Sequence, residues 1–310
     1  MESSSRFLCL DTIMIDIVTK VVAWPARGGD ALSSGSRVVP GGGLNSMSAA
    51  SRHGMPSIYV GRLGRGPFSD LAKRALEREG VVAPVVPDED QDIGFCVVVV
   101  DAAGERTFIT APGAEGGLSG QDLEIIDVAP GDYVFLSGYN LVYPDLGKVV
   151  APWVMSLPDD VVVALDPGPR VLDIEATLLR GVLDRTDWLL CNALEARSLT
   201  GKADVEAAVS GLLEVAGRSG VVVREGERGC VVAARGSKPL RVDGYSVEVI
   251  DTNGAGDTHN GVFLSELARG TALAEAAGRA NAAAAMAIGS LGPTAAPSRE
   301  EVSRWYASLP

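Results

Sequence analysis

Val161-Val162-Val163-Ala164-Leu165 is apolar at every position. Tyr133-Val134-Phe135-Leu136 stands upstream of it, and Trp188-Leu189-Leu190-Cys191 and Val221-Val222-Val223 stand downstream. Amphipathic stretches near 146–155, 171–183, 192–199 and 205–218 separate these runs, and the alanine-rich 280–287 reads as a packed helix. A strand with one face in water alternates apolar and polar residues, whereas a strand apolar throughout is covered on both faces. Such strands alternating with helices predict an α/β fold: a doubly wound, mainly parallel sheet with helices on both faces.

The first third of the chain breaks this pattern. Segments 13–22 and 93–100 read as extended, and Asp101-Ala102-Ala103-Gly104 followed by 105–110 reads as a hairpin turn and its return strand. Two β-rich insertions, about 13–40 and 93–112, are expected to pair as a small β-sheet lid on a single domain spanning 1–310.

Composition narrows the function. Forty acidic residues against 27 basic give a net charge of −13, with no Lys/Arg run. A nucleic-acid partner, which needs a basic stripe, is therefore not expected. Any bound polyanion would have to be held by backbone amides, helix N-termini and a divalent metal. The four cysteines, Cys9, Cys96, Cys191 and Cys230, are widely spaced in apolar runs, and there are two histidines. Buried reduced thiols rather than a structural zinc site follow. MESSSRFLCL lacks the form of a secretory signal, and no apolar run reaches the length of a membrane span. The expected location is the cytoplasm, without a membrane partner.

Chemistry concentrates in Asp251-Thr252-Asn253-Gly254-Ala255-Gly256-Asp257-Thr258-His259-Asn260-Gly261. The strand-like 247–250 precedes it and a helix, 261–269, is expected after it. Gly-Ala-Gly at such a junction lets the amides of Gly254, Ala255 and Gly256 converge on an anion. Asp257, directly after them, is placed to deprotonate an attacking hydroxyl; read alone, it is equally an N-capping residue of a tight turn. Gly41-Gly42-Gly43-Leu44-Asn45 offers close backbone approach and a side-chain amide for hydroxyls. Asn192-Ala193-Leu194-Glu195 opens a helix, where Asn192 and Glu195 either share a face toward a hydrated cation or form a capping box. Asp16, inside Ile13-Met14-Ile15-Asp16-Ile17, is a carboxylate in apolar company that requires a partner.

DTNGAGDTHNG resembles the C-terminal motif of the ribokinase-like (PfkB) carbohydrate kinases, close to DTxGAGDxFxG, with His259 where an aromatic is usual. GGGLN with Gly54 and Gly64, the NxxE at 192–195, Asp16, WPARGGDALSS, GERTFITAPGAE, LDPGPR and the terminal ANAAAAMAIGSLGPTAAPSREEV extend the resemblance over nearly the whole chain. It implies ATP and Mg²⁺ as cofactors, with Glu195 acting on Mg²⁺ through water, and a K⁺ site near the anion hole for which Asp251 is the candidate. Asp16, Gly42, Gly43 and Asn45 would grip the acceptor with Asp257. Asn192, Glu195, Arg224 and Gly226 would lie on the nucleotide side, with Asn281 near adenine and Gly292 closing its loop. A homodimer through the lid sheets is also implied.

Four departures bear on the acceptor and the nucleotide. Arg224-Glu225-Gly226 replaces Thr-x-Gly, Gly42 stands where ribokinases proper carry Lys, Met14 replaces an Asn, and Met47 replaces a small residue. Losing a Lys and an Asn removes polar sugar contacts, so free ribose is not the expected acceptor. The expected activity is transfer of the γ-phosphate of ATP to a primary hydroxyl of a sugar or sugar-like molecule. A nucleoside kinase of the same fold is the alternative, and a catalytically inactive sugar-binding regulatory protein a third. The chain lacks GxGxxG after its first strand and has no GxxxxGK[ST], which argues against a dehydrogenase and excludes a P-loop kinase.

Overall fold

The structure, a computed structural model, describes residues 5–289 and 296–308. Its strands, in chain order, are β1 (Phe7–Leu10), β2 (Ile13–Lys20), β3 (Gly35–Gly42), β4 (Ser57–Tyr59), β5 (Phe95–Val100), β6 (Arg106–Ala111), β7 (Tyr133–Ser137), β8 (Val162–Asp166), β9 (Trp188–Asn192), β10 (Gly220–Arg224), β11 (Cys230–Ala234) and β12 (Leu240–Val242). Eight form one sheet, ordered β12-β11-β10-β9-β8-β7-β1-β4. It is parallel from β4 to β10 and antiparallel at β11 and β12.

Successive residues of the central strands enter opposite cores, as the pleat demands. Phe7 and Cys9 of β1, with Leu190 of β9 and Val222 of β10, pack against the helices Gly43–Arg52, Ala255–Ala268 and Leu273–Ile288. Leu8 and Leu10, with Leu189 and Val221, pack against Pro144–Ser156, Ala176–Arg185 and Val205–Val215. The unbroken apolar runs therefore reflect a sheet buried on both sides. All four cysteines are buried and free.

The remaining strands form a separate sheet ordered β3-β2-β5-β6. Its register puts Arg37, Val18, Val98 and Phe108 in one row and Val39, Asp16, Cys96 and Thr110 in the next row on the same face. That face looks toward the C-terminal ends of the parallel strands, where Met14, Asp16, Cys96, Phe108 and Thr110 line a cavity.

Two local expectations are corrected. Residues 247–250 form no strand; Val249 and Ile250 are 57% and 53% exposed, and the amides of Ile250 and Asp251 both donate to the Ile288 carbonyl (2.8 and 3.1 Å). An exposed apolar run without a neighbouring strand has nothing to pair with. The following helix begins at Ala255, not at 261, so the Gly-Ala-Gly-Asp motif is its first turn rather than a preceding loop. Gly292 lies outside the described residues.

Candidate active site

The cavity of about 930 Å³ lies between the two sheets. Its floor is built from residues at the C-terminal ends of parallel strands: Asp11 after β1, Ser137 of β7, Asp166 of β8 and Arg224 of β10. This is where doubly wound sheets place their ligands, because strand ends and helix starts converge there.

Gly254 is the N-cap of helix Ala255–Ala268 at φ 75°, a left-handed conformation that glycine adopts without a Cβ penalty. No side chain caps this helix, and its first internal bond is from the Thr258 amide to the Gly254 carbonyl (2.8 Å). The amides of Ala255, Gly256 and Asp257 therefore lack intrahelical acceptors, and Gly254, Gly256 and Asp257 line the cavity. Three converging N–H groups with the helix dipole behind them make an anion site inside an acidic protein.

Asp257 stands on this first turn. Its Oδ2 accepts a hydrogen bond from Asn45 Nδ2 at 2.9 Å. Burial raises its pKa to about 6, against the Asn45 hydrogen bond, which lowers it. The other polar atom of Asn45, Oδ1, is buried and has no partner. Asn45 reaches Asp257 because helix Gly43–Arg52 packs along helix Ala255–Ala268; a Cβ on Gly261 would fall 2.4 Å from the Ser46 carbonyl.

The glycines ahead of Asn45 accommodate protein rather than ligand. Gly42 sits at φ 65°, where a Cβ would be 2.2 Å from the Thr12 carbonyl, and it lines the cavity. The Gly43 amide is engaged by the Thr12 carbonyl (3.0 Å), and a Cβ on Gly41 would meet Asp16 Oδ2 at 2.8 Å. Asp16 faces the cavity and accepts from Asn253 Nδ2 (3.3 Å); burial raises its pKa, opposed by Asn253, Arg37 and Arg106.

Asn192 and Glu195 form a capping box. Asn192 Oδ1 accepts from the amides of Leu194 (2.9 Å) and Glu195 (3.0 Å), and Glu195 Oε2 accepts from the Asn192 amide (2.7 Å). The two side chains thus do not project together: Asn192 turns back to the helix and Glu195 alone lines the cavity. Burial and nearby Asp166 push the Glu195 pKa up to about 7. Arg224 donates to Asp166 Oδ2 (2.9 Å) and to Asn260 Oδ1, while Asn260 Nδ2 donates to the same Asp166 oxygen (2.7 Å). Its guanidinium lies about 3.6 Å from where a Gly256 Cβ would be, against the anion-binding turn. Gly226 occupies the 3₁₀ turn between β10 and β11 at φ 63°, outside the cavity wall.

Asn281 is fully committed within the protein. Its Nδ2 donates to the carbonyls of Val242 (3.0 Å) and Asp243 (3.1 Å), and its Oδ1 meets His259 Nε2 at 3.2 Å. Since Oδ1 can only accept, His259 carries its proton on Nε2; burial and Arg224 lower its pKa to about 3, so it stays neutral. The histidine in place of the usual aromatic thus anchors Asn281, and both hold the 242–243 segment. Asp251, the candidate for a K⁺ ion, has Arg37 on Oδ2 and Arg106 on Oδ1 (2.6 Å).

Sequence reasoning passed over Asp11, Asp166, Asn260, Arg37, Arg106 and Tyr139. Asp11 and Asp166 had a signal: each ends an apolar run, where a carboxylate at a parallel strand's C-terminus faces the ligand crevice. Burial and Asp257 raise Asp11 to about 8, opposed by hydrogen bonds from Ser137 and the Thr12 amide (2.8 Å). Tyr139, 43% exposed, and Phe108, 58% exposed, flank the cavity and carried no pattern of their own.

A doubly wound parallel sheet with free helix N-terminal amides at its crevice and a carboxylate beside them fits a phosphotransferase acting on an alcohol. Residues 4–300 match the model described as "pfkB family carbohydrate kinase", and the chain belongs to that family. It is 31% identical over 293 residues to an uncharacterised sugar kinase, YegV, of Escherichia coli strain K12, covering 93% of this chain and 90% of that one. It superposes on a putative ribokinase II of E. coli in complex with ATP and Mg²⁺ with a TM-score of 0.83 at 23% identity, covering 98% and 100% of the two chains. Arabidopsis thaliana ribokinase complexed with ribose and ATP gives 0.78 at 24% identity, covering 97% and 98%.

Proposed function

We propose that this carbohydrate kinase transfers the γ-phosphate of ATP to a primary hydroxyl of a sugar or sugar-like acceptor, with Asp257 as the general base. The observation that carries this reading is the capless helix start: free amides at 255–257, the Asp257 carboxylate on the same turn, and the unpartnered Asn45 Oδ1 beside it. The Asp257 carboxylate takes the hydroxyl proton as that oxygen attacks the phosphoryl group in line, and the three amides meet the charge that builds on the transferring oxygens. Asp16 and Asn45, with the Gly42 backbone, orient the acceptor, and Asn45 Oδ1 accepts a hydrogen bond from one of its hydroxyls. Arg224 and Glu195 lie on the nucleotide side.

Among the described residues no group of three or more His, Cys, Asp or Glu could hold a metal by itself. Mg²⁺ would arrive with the nucleotide's phosphates, and Glu195, which lines the cavity, is the residue that would hold it through water. Bound there, Mg²⁺ would supply charge neutralisation on the leaving group. The four-stranded sheet acts as a lid that excludes water as a competing acceptor. Its outer face exposes Val38 (48%) and Ile109 (58%), which supports pairing of two lids in a dimer; sedimentation as a monomer at micromolar concentration would refute that. No described helix is long and apolar enough to cross a membrane.

A nucleoside acceptor is the second reading, favoured by the apolar wall of Met14, Phe108 and Tyr139, which suits a planar base. ADP release measured over a panel of sugars and nucleosides decides between them. No release with any acceptor, together with ligand-induced thermal stabilisation, would point instead to a non-catalytic sugar-binding protein.

A further inference from the structure

Arg37 and Arg106 stand on the two outer strands of the small sheet, β3 and β6. Two strands separate them, three spacings or about 14 Å in a flat sheet. Yet both guanidiniums end on one carboxylate, Arg37 on Asp251 Oδ2 and Arg106 on Asp251 Oδ1. Asp251 belongs to neither strand: it begins the motif whose next residues make the anion-binding turn, and its side chain is 5% exposed. The chain of contacts continues inward. Asp251 Oδ1 also accepts from the Asn253 amide (3.0 Å), and Asn253 Nδ2 donates to Asp16 Oδ2 (3.3 Å), back on the small sheet's inner face. Gly254, the left-handed cap of the catalytic helix, follows directly.

We propose that Arg37 and Arg106 are positioning residues that form a latch: by closing on Asp251 from both edges of the lid, they fix 251–254 and with it the anion-binding turn. Lid closure over the acceptor and completion of the phosphate site are then one event. A bidentate, doubly charged grip suits this role, since two guanidiniums on one carboxylate hold it in plane and resist rotation. Segment 247–250 lies outside any sheet, and the amides of Ile250 and Asp251 meet the single carbonyl of Ile288, so the two arginines add side-chain ties from the opposite side.

The latch rests on the kinase reading, but one arm of its test does not. In amide hydrogen exchange on the full chain without ligand, the Arg37→Ala/Arg106→Ala variant is expected to exchange about tenfold faster at Asn253 and Thr258, whose amides are bonded to Asp251 Oδ1 and to the Gly254 carbonyl, and along β3 and β6, with helix Leu273–Ile288 unchanged. Asp251→Asn should reproduce this, and Arg37→Lys/Arg106→Lys should restore most of the protection. Unchanged exchange at Asn253 and Thr258, or loosening confined to the small sheet, overturns the latch. If the double alanine variant fails to fold, the asparagine variant and the two single alanine variants decide by the same criterion. With ATP·Mg²⁺ and an acceptor from the panel, kcat should fall about tenfold in the alanine variant while KM for ATP changes less than about threefold; an altered KM with kcat intact also overturns it. Failure of every acceptor would strike the kinase reading and leave the exchange result standing.

Discussion

Replacing Asn45 by Ala tests the base assignment at its most exposed joint. Asn45 Nδ2 is the side-chain donor to Asp257 Oδ2, at 2.9 Å, and Asn45 itself is only 2% exposed. Its Oδ1 has no protein partner, so truncation removes one stabilising bond to the carboxylate and orphans no other protein atom. A hydrogen bond to a charged group contributes about 1.5–3 kcal/mol net. The lower figure applies because Asp257 lines an open cavity, and about 1.5 kcal/mol corresponds to about one pKa unit. The bond favours the ionised form, so its loss raises the Asp257 pKa from about 6 to about 7. A base must be deprotonated to act, so kcat/KM falls as pH drops through that value. The assay is kcat/KM against pH from 5 to 8.5, with ADP release as readout. Wild type should show an acid limb near 6 and the variant the same limb displaced about one unit alkaline, beneath an overall loss from poorer acceptor positioning. Asp11→Asn should leave the limb near 6, because Asp11, raised to about 8, is still protonated there. A limb that stays in place in Asn45→Ala, or moves toward acid, refutes Asp257 as the group whose ionisation controls the reaction.

Three further outcomes are expected. Asp257→Asn should lower turnover at least about 10²-fold. A carboxylate raised in the folded state destabilises it increasingly as pH climbs from about 4 to about 6 and by a constant amount above that, so the same variant should melt a few degrees higher at pH 7 and no higher at pH 4; calorimetry at the two values checks this. Arg224→Thr strips the cation from partly buried Asp166 and buried Glu195, which should cost about 3 kcal/mol in denaturant unfolding, with much of it restored by adding Asp166→Asn; equal stability of single and double variants would contradict the pairing. Gly42→Ala places a Cβ 2.2 Å from the Thr12 carbonyl at φ 65°, and should yield little soluble protein or a melting temperature at least about 10 °C lower.

The parallel sheet was legible because burial on both faces leaves a mark that survives in one dimension: runs such as 161–165 apolar at every position. The anion turn was legible for a related reason, since Gly254 must adopt a left-handed φ and few other residues do so freely. Where its helix begins was not legible, because the capless first turn contains Gly and Asp, which read as loop. Segment 247–250 misled because β-branched apolar residues suggest a strand, and pairing depends on a neighbour that the segment itself does not encode.

What the sequence by itself determined, then, are properties carried by contiguous residues: the α/β alternation, the two insertions, the Gly-Ala-Gly-Asp motif and the carboxylate of Asp16. What only the tertiary structure decided are pairings across long separations in the chain. Asn45 meets Asp257, Arg224 meets Asp166, His259 meets Asn281, and Arg37 with Arg106 converge on Asp251. The reason is physical: a side chain's charge, tautomer and free hydrogen-bonding atoms are set by what lies within a few ångströms of it, and chain folding chooses those neighbours with little regard to their distance along the sequence.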